Sequence, residues 1–138
     1  TASGNDAIDL SGSTVTIQDV AIDEVGDKAI SVGEGSTATA SGVQISGAEI
    51  ALTCKDKSKF EVDACDITTS RIGVAAYQKK PEFGPASITI SNLSLSGAEI
   101  PYMIEENSTL TLDGKSIPST YESVKDILYG VEFGKSSK

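Results

Sequence analysis

The sequence predicts an all-β fold, a parallel β-helix in which one chain winds as a single solenoid. Three observations predict it. A short alternating block beginning at residues 13, 36, 58, 86 and 108 recurs in steps of 23, 22, 28 and 22 residues. A second alternating block follows each of the first four copies at a fixed distance. Only 5% of the residues are aromatic and none is Trp, so the core must be narrow and filled by small aliphatics. A period near 22 with short strands on every turn is the mark of stacked rungs. Each rung cannot bury its apolar face alone, but neighbouring rungs can bury one another's.

The block that carries the period reads Ser13-Thr14-Val15-Thr16-Ile17, Ser36-Thr37-Ala38-Thr39-Ala40, Ser58-Lys59-Phe60-Glu61-Val62, Ala86-Ser87-Ile88-Thr89-Ile90 and Ser108-Thr109-Leu110-Thr111-Leu112. Strict alternation puts one set of side chains inward and the other outward. The outward row is mostly Thr and Ser, interrupted by Lys59 and Glu61. The following block reads Val20-Ala21-Ile22, Val43-Gln44-Ile45, Cys65-Asp66-Ile67 and Leu93-Ser94-Leu95, with Lys115-Ser116-Ile117 as its last copy. Between the two blocks a corner is expected at Asp19, Gly42, Ala64 and Asn92, where Gly, Asn and Asp suit a left-handed bend. Cys65 occupies the slot of Val20, Val43 and Leu93, which reads as a buried small hydrophobe rather than a reactive thiol. A segment preceding both blocks is aligned on Ile8, Ile30, Ile50, Ile72 and Ile100.

The 28-residue step adds about six residues over Ala76–Pro85, and its Pro, Gly and Lys content reads as a protruding loop. Beyond Ile117 the period ends. A short amphipathic helix within residues 119–130 is expected to cover the open end of the last rung, with Ser119 or Thr120 as its cap and Gly130 as its stop. The whole chain, 1–138, reads as one domain. It begins Thr1-Ala2-Ser3 without Met, as a piece of a larger protein would, with neighbouring domains as its partners. Its rung edges offer a route to self-association in place of a monomer.

Composition excludes several chemistries. Without His, neither a Ser-His-Asp nor a Cys-His device can be assembled from this chain. Two Cys and no His cannot supply a tetrahedral zinc site. A net charge of -9 argues against a nucleic-acid partner, and no apolar run reaches membrane-spanning length. Cys54 and Cys65 read as buried free thiols, since a disulfide depends on a Cα separation that spacing does not give.

Two sets of residues are candidates for a site. Asp6 and Asp27 precede Ile8 and Ile30 at near-equivalent corners, and two stacked carboxylates could share a hard cation such as Ca2+. No other cofactor is expected. The matching places before Ile50, Ile72 and Ile100 hold Glu49, Arg71 and Glu99. Lys55, Lys79, Lys80 and Arg71 lie on successive rungs, about 4.8 Å apart, and would form a basic patch for an anionic glycan. Tyr77, at the start of the insertion, could stack on a sugar ring.

The G-N-D-x-I-D-L-S-G-S opening at Gly4–Ser13 and the S-x-V-x-I blocks resemble right-handed parallel β-helices of the pectate-lyase-like superfamily. The nearer likeness is to C-terminal β-helix regions of bacterial secreted or surface proteins, over roughly residues 4–134. That resemblance implies a secreted or cell-surface location and a polysaccharide as a partner. It also implies a possible Ca2+-assisted lyase with Lys or Arg as base, yet no Asp-Asp-Arg or Asp-Lys constellation spans several rungs. The expectation is therefore a non-catalytic module with a structural or carbohydrate-binding role, with a polysaccharide lyase acting on acidic glycans as the alternative.

Overall fold

The computed structural model describes residues 7–23, 27–79, 83–119, 121 and 124, without the side chain of Thr69. They form a parallel β-solenoid of about 4 turns with about 22 residues per turn. The strands are β1 (Ile8–Ser11), β2 (Thr14–Asp23), β3 (Lys28–Gly33), β4 (Thr37–Lys55), β5 (Lys59–Tyr77), β6 (Ser87–Ile104), β7 (Thr109–Leu112) and β8 (Lys115–Ile117). Through β7 every pairing is parallel, and each long strand is one rung bent at its corners.

The two alternating blocks stack as their spacing predicts. Val15, Ala38, Phe60, Ile88 and Leu110 form one inward ladder, and Val20, Val43, Cys65 and Leu93 another. Phe60, the largest side chain of its ladder, sits beside the small Ala38, and a large residue next to a small one suits a narrow interior. Phe60 and Ile88 are fully buried. The expected bends are present as well: φ is 51° at Asp19, 64° at Gly42, 61° at Ala64 and 58° at Asn92.

The serine that opens the first block has a role of its own. Ser13 N–H donates to Ser36 Oγ at 3.1 Å, and Ser36 N–H donates to Ser58 Oγ at 3.1 Å. Ala86 N–H does the same to Ser108 Oγ at 3.0 Å. Buried hydroxyls thus satisfy the backbone donors that the turns remove from the ladder, which would otherwise cost stability.

Three expectations are corrected. First, the isoleucines that align the preceding segment form two ladders rather than one. Ile8 pairs with Ile30, and Ile30 with Leu52, while Ile50 pairs with Lys28 and Ile72, and Ile72 with Ile100. The rung has an additional short side, Ala48–Ile50, Ser70–Ile72 and Ala98–Ile100, set off by further bends. Gly47 and Gly97 have φ of 72° and 73°, and the register passes over Ala51, Gly73 and Pro101. Gly73 tolerates no side chain, because a Cβ there would lie 2.6 Å from the Pro101 carbonyl oxygen. Second, Lys115–Ile117 is not a further parallel copy. It turns back antiparallel on β7, Leu112 against Lys115 and Leu110 against Ile117. Asp113 and Gly114, at φ 49° and 82°, make the two-residue hairpin turn that Asp-Gly between alternating strands favours. Third, β5 runs to Tyr77, so the insertion begins only at Gln78.

The helix expected within residues 119–130 lies outside the described residues except at Ser119, Tyr121 and Val124. Tyr121 bridges to Glu105. Val124 is fully buried on the flank of the solenoid against a cluster that includes Ile50, Ile72, Ala75, Tyr77 and Met103. Among the described residues no helix is long and apolar enough to cross a membrane.

Candidate ligand-binding groove

The described structure places the predicted site residues in separate surroundings. Lys55 and Lys79 do come together. They line a small cavity of about 170 Å³ at a rung turn, along with Asp9, Glu34 and Asp56. The Lys55 stem lies across Gly33, where a Cβ would meet its Cε at 2.9 Å. Lys79 N–H donates to Asp56 Oδ1 at 2.7 Å. The two cations therefore sit among three carboxylates. Lys80 lies outside the described residues.

Tyr77 is fully buried in the flanking apolar cluster. It alternates with Ala76, whose side chain joins the main core, so the Tyr77 ring faces the opposite side of the strand. Arg71 stacks over Glu49, with Nη1 3.3 Å from Oε1, on the additional short side of the rung. Asp27 is held 3.4 Å from Lys28 Nζ, and both side chains are nearly buried. Asp6 lies outside the described residues. Among the described residues no group of three or more His, Cys, Asp or Glu could hold a metal ion.

Glu105 ties the insertion to the C-terminal region. Its carboxylate accepts Gln78 N–H at 3.0 Å and Val124 N–H at 2.9 Å. The returning limb of the insertion is pinned as well, with Lys57 N–H donating to the Gly84 carbonyl at 2.8 Å.

A larger concave feature lies elsewhere. The left-handed bends at Asp19, Gly42, Ala64 and Asn92 form an elbow that runs up the solenoid, and a groove of about 520 Å³ follows it. A second hollow of about 250 Å³ continues it through shared walls at Ala21, Gln44 and Asp66. Gly42 keeps the elbow open. A Cβ there would lie 2.6 Å from Asp19 Oδ1, so the absent side chain leaves room for the carboxylate at the rim.

Two outward rows line this groove. One is Ala21, Gln44, Asp66 and Ser94; the other, along the second hollow, is Asp23, Ser46 and Thr68. Ser46 donates to Asp23. At the upper end Asn92 Nδ2 donates to Asp63 Oδ1 at 2.8 Å, and Asn92 N–H donates to Asp113 Oδ1 at 2.9 Å. None of the described lining residues is basic. The sequence reading passed over this site, although its signal was there: the middle residue of each V-x-I block is polar in three of the first four copies.

Both cysteines are free and buried. Burial pushes the Cys54 thiol up from its ordinary 9.0 to about 12, with Asp56 adding to the rise. Burial, with Asp66 nearby, pushes Cys65 up to about 12 as well. Neither thiol is a nucleophile at neutral pH.

No protein-family model matches the chain, and no curated protein or solved structure matches it.

Proposed function

We propose that this chain is a non-catalytic β-solenoid module of a bacterial secreted or surface protein, with a structural and carbohydrate-binding role. The observation that carries this reading is the polar groove along the elbow. It spans several rungs, offers carboxylate, amide and hydroxyl side chains to a ligand, and rests on ladder-paired backbone that holds it rigid. The likeness of the repeat to pectate-lyase-like proteins supports the same reading.

The placement of the basic residues favours binding over lyase chemistry. A lyase base must stand close to its substrate in an open cleft. Arg71 is engaged by Glu49, Lys28 is buried beside Asp27, and the groove walls carry no Lys or Arg among the described residues. The test is paired. A panel of soluble oligosaccharides should give saturable binding by calorimetry, while uronate polymers with and without Ca2+ should yield no unsaturated product. Release of such product would overturn the non-catalytic reading, and a complete lack of glycan binding would reduce the module to a spacer.

A further inference from the structure

We infer that the elbow groove is the carbohydrate site and that it takes a glycan free of carboxylate and sulfate groups, laid along the solenoid axis. This rests on the reading of the module as carbohydrate-binding, and it specifies both the place and the ligand.

The place follows from the rung geometry. Gln44, Asp66 and Ser94 are consecutive partners in one register and all three are exposed. Rungs repeat about every 4.8 Å, so a chain lying along the axis meets one set of polar side chains per rung. Thr68 and Ser46 stand two residues further along their strands, about 7 Å away, and widen the contact to both edges of a sugar ring. The floor is small, with Gly42 and Ala64 at the bends, and a ring can approach the backbone there.

The ligand class follows from the chemistry of the walls. Asp19 and Asp66 line the groove and Asp23 its continuation. With no basic residue among the described lining, a polyuronate or sulfated chain would bring like charge onto these carboxylates. A Ca2+ bridge would relieve that only if the walls held the ion through several carboxylate oxygens of their own, and among the described residues no group of three acidic side chains could hold a metal. Carboxylates are acceptor-only, whereas Gln, Ser and Thr both donate and accept. Sugar hydroxyls, which do both, match that set, and an amino group on the sugar would add an ion pair. The Lys55 and Lys79 cavity, the place a basic patch would favour, is the smaller feature and its cations already face Asp9, Glu34 and Asp56.

The experiment is calorimetric titration of the intact chain with cello-, manno-, xylo- and chitosan oligosaccharides, and with oligogalacturonate and oligolysine as contrasts. It is repeated on Gln44→Ala/Asp66→Ala and on Lys55→Ala, each checked for an unchanged melting curve. The expected result is binding of a neutral or amino oligosaccharide, weakened by about tenfold or more in the double variant, as the loss of two hydrogen bonds implies, and unchanged in Lys55→Ala. Preferred binding of oligogalacturonate would overturn the ligand class while leaving the carbohydrate reading standing. Neutral-glycan binding that survives the double variant, or is lost in Lys55→Ala, would overturn the site alone. Binding of oligolysine with no glycan bound, or no binding at all, would overturn this inference together with the carbohydrate reading.

Discussion

The two flanks of this solenoid are built from the same rungs and behave differently. On the elbow flank, β2 and the corresponding parts of β4, β5 and β6 alternate strictly, with one face in the core and the other in water. On the opposite flank, β3 is buried at all six positions, as are its stacked counterparts from Ile50 to Cys54 and from Ile72 to Tyr77. There the inward residues join the main core while Ile50, Ile72, Ala75, Tyr77 and Met103 build a second apolar cluster outside it. The covered flank also carries the insertion and the Glu105 clamp. The comparison teaches that a repeat does not make its faces equivalent. Among the described residues the elbow flank keeps a row of exposed polar side chains along a groove several rungs long, and so it offers an extended surface to a ligand.

The sharpest way to break this comparison is to truncate an outward-facing side chain on each flank. Ile72→Ala, on the covered side, is expected to cost about 2–5 kcal/mol, the range for truncating a fully buried aliphatic. Ser94→Ala, on the elbow side, is expected to stay within about 0.5 kcal/mol. Urea titrations of both variants would measure the difference, and equal costs would refute the asymmetry. Next in size is Gly42→Ala, which strains a left-handed bend and drives a Cβ against Asp19. A loss of about 1–2 kcal/mol is expected, and adding Asp19→Ala should recover part of it by removing the clash but not the strain.

A smaller effect of opposite sign is expected on the covered flank. The Ser31 and Thr53 hydroxyls are buried there without a hydrogen-bond partner. Thr53→Val keeps the shape and removes the orphaned hydroxyl, so the protein should gain about 1 kcal/mol, read as a raised denaturation midpoint. Smallest at neutral pH is the contribution of the thiols. Cys54 and Cys65 are pushed up to about 12, so between the ordinary value of 9.0 and 12 the folded chain holds protons that the unfolded chain releases. Their stabilisation is full below pH 9 and is lost as the pH rises through that window. Cys65→Val, which copies the residue at the same slot in the neighbouring rung, should flatten the alkaline decline in the denaturation midpoint.

How much was legible in the sequence divides along the same line. The elbow flank was readable because each of its strands keeps one wet face, so polar and apolar residues alternate and the period is plain from Val15 to Leu112. Even the bends at Asp19, Gly42, Ala64 and Asn92 followed from the constant spacing of Val20, Val43, Cys65 and Leu93 behind their preceding blocks. The covered flank is apolar on both faces, and without alternation a shift of two residues leaves no trace in the pattern. That is why Ile50 was matched to Ile30 when its partners are Lys28 and Ile72, and why Tyr77 read as a loop residue when its ring is buried.

By itself the sequence determined the solenoid, its period, its narrow aliphatic core and the exclusion of histidine chemistry. These depend on local alternation and on composition, which a linear chain displays directly. Only the tertiary structure decided which side of the rung is covered, that Lys115–Ile117 closes back on β7, and that Gln44, Asp66 and Ser94 line one groove while Arg71 is held by Glu49. Those outcomes depend on register across about 22 residues and on the direction of each bend. They are set by side chains meeting between rungs, where a two-residue slip changes every neighbour.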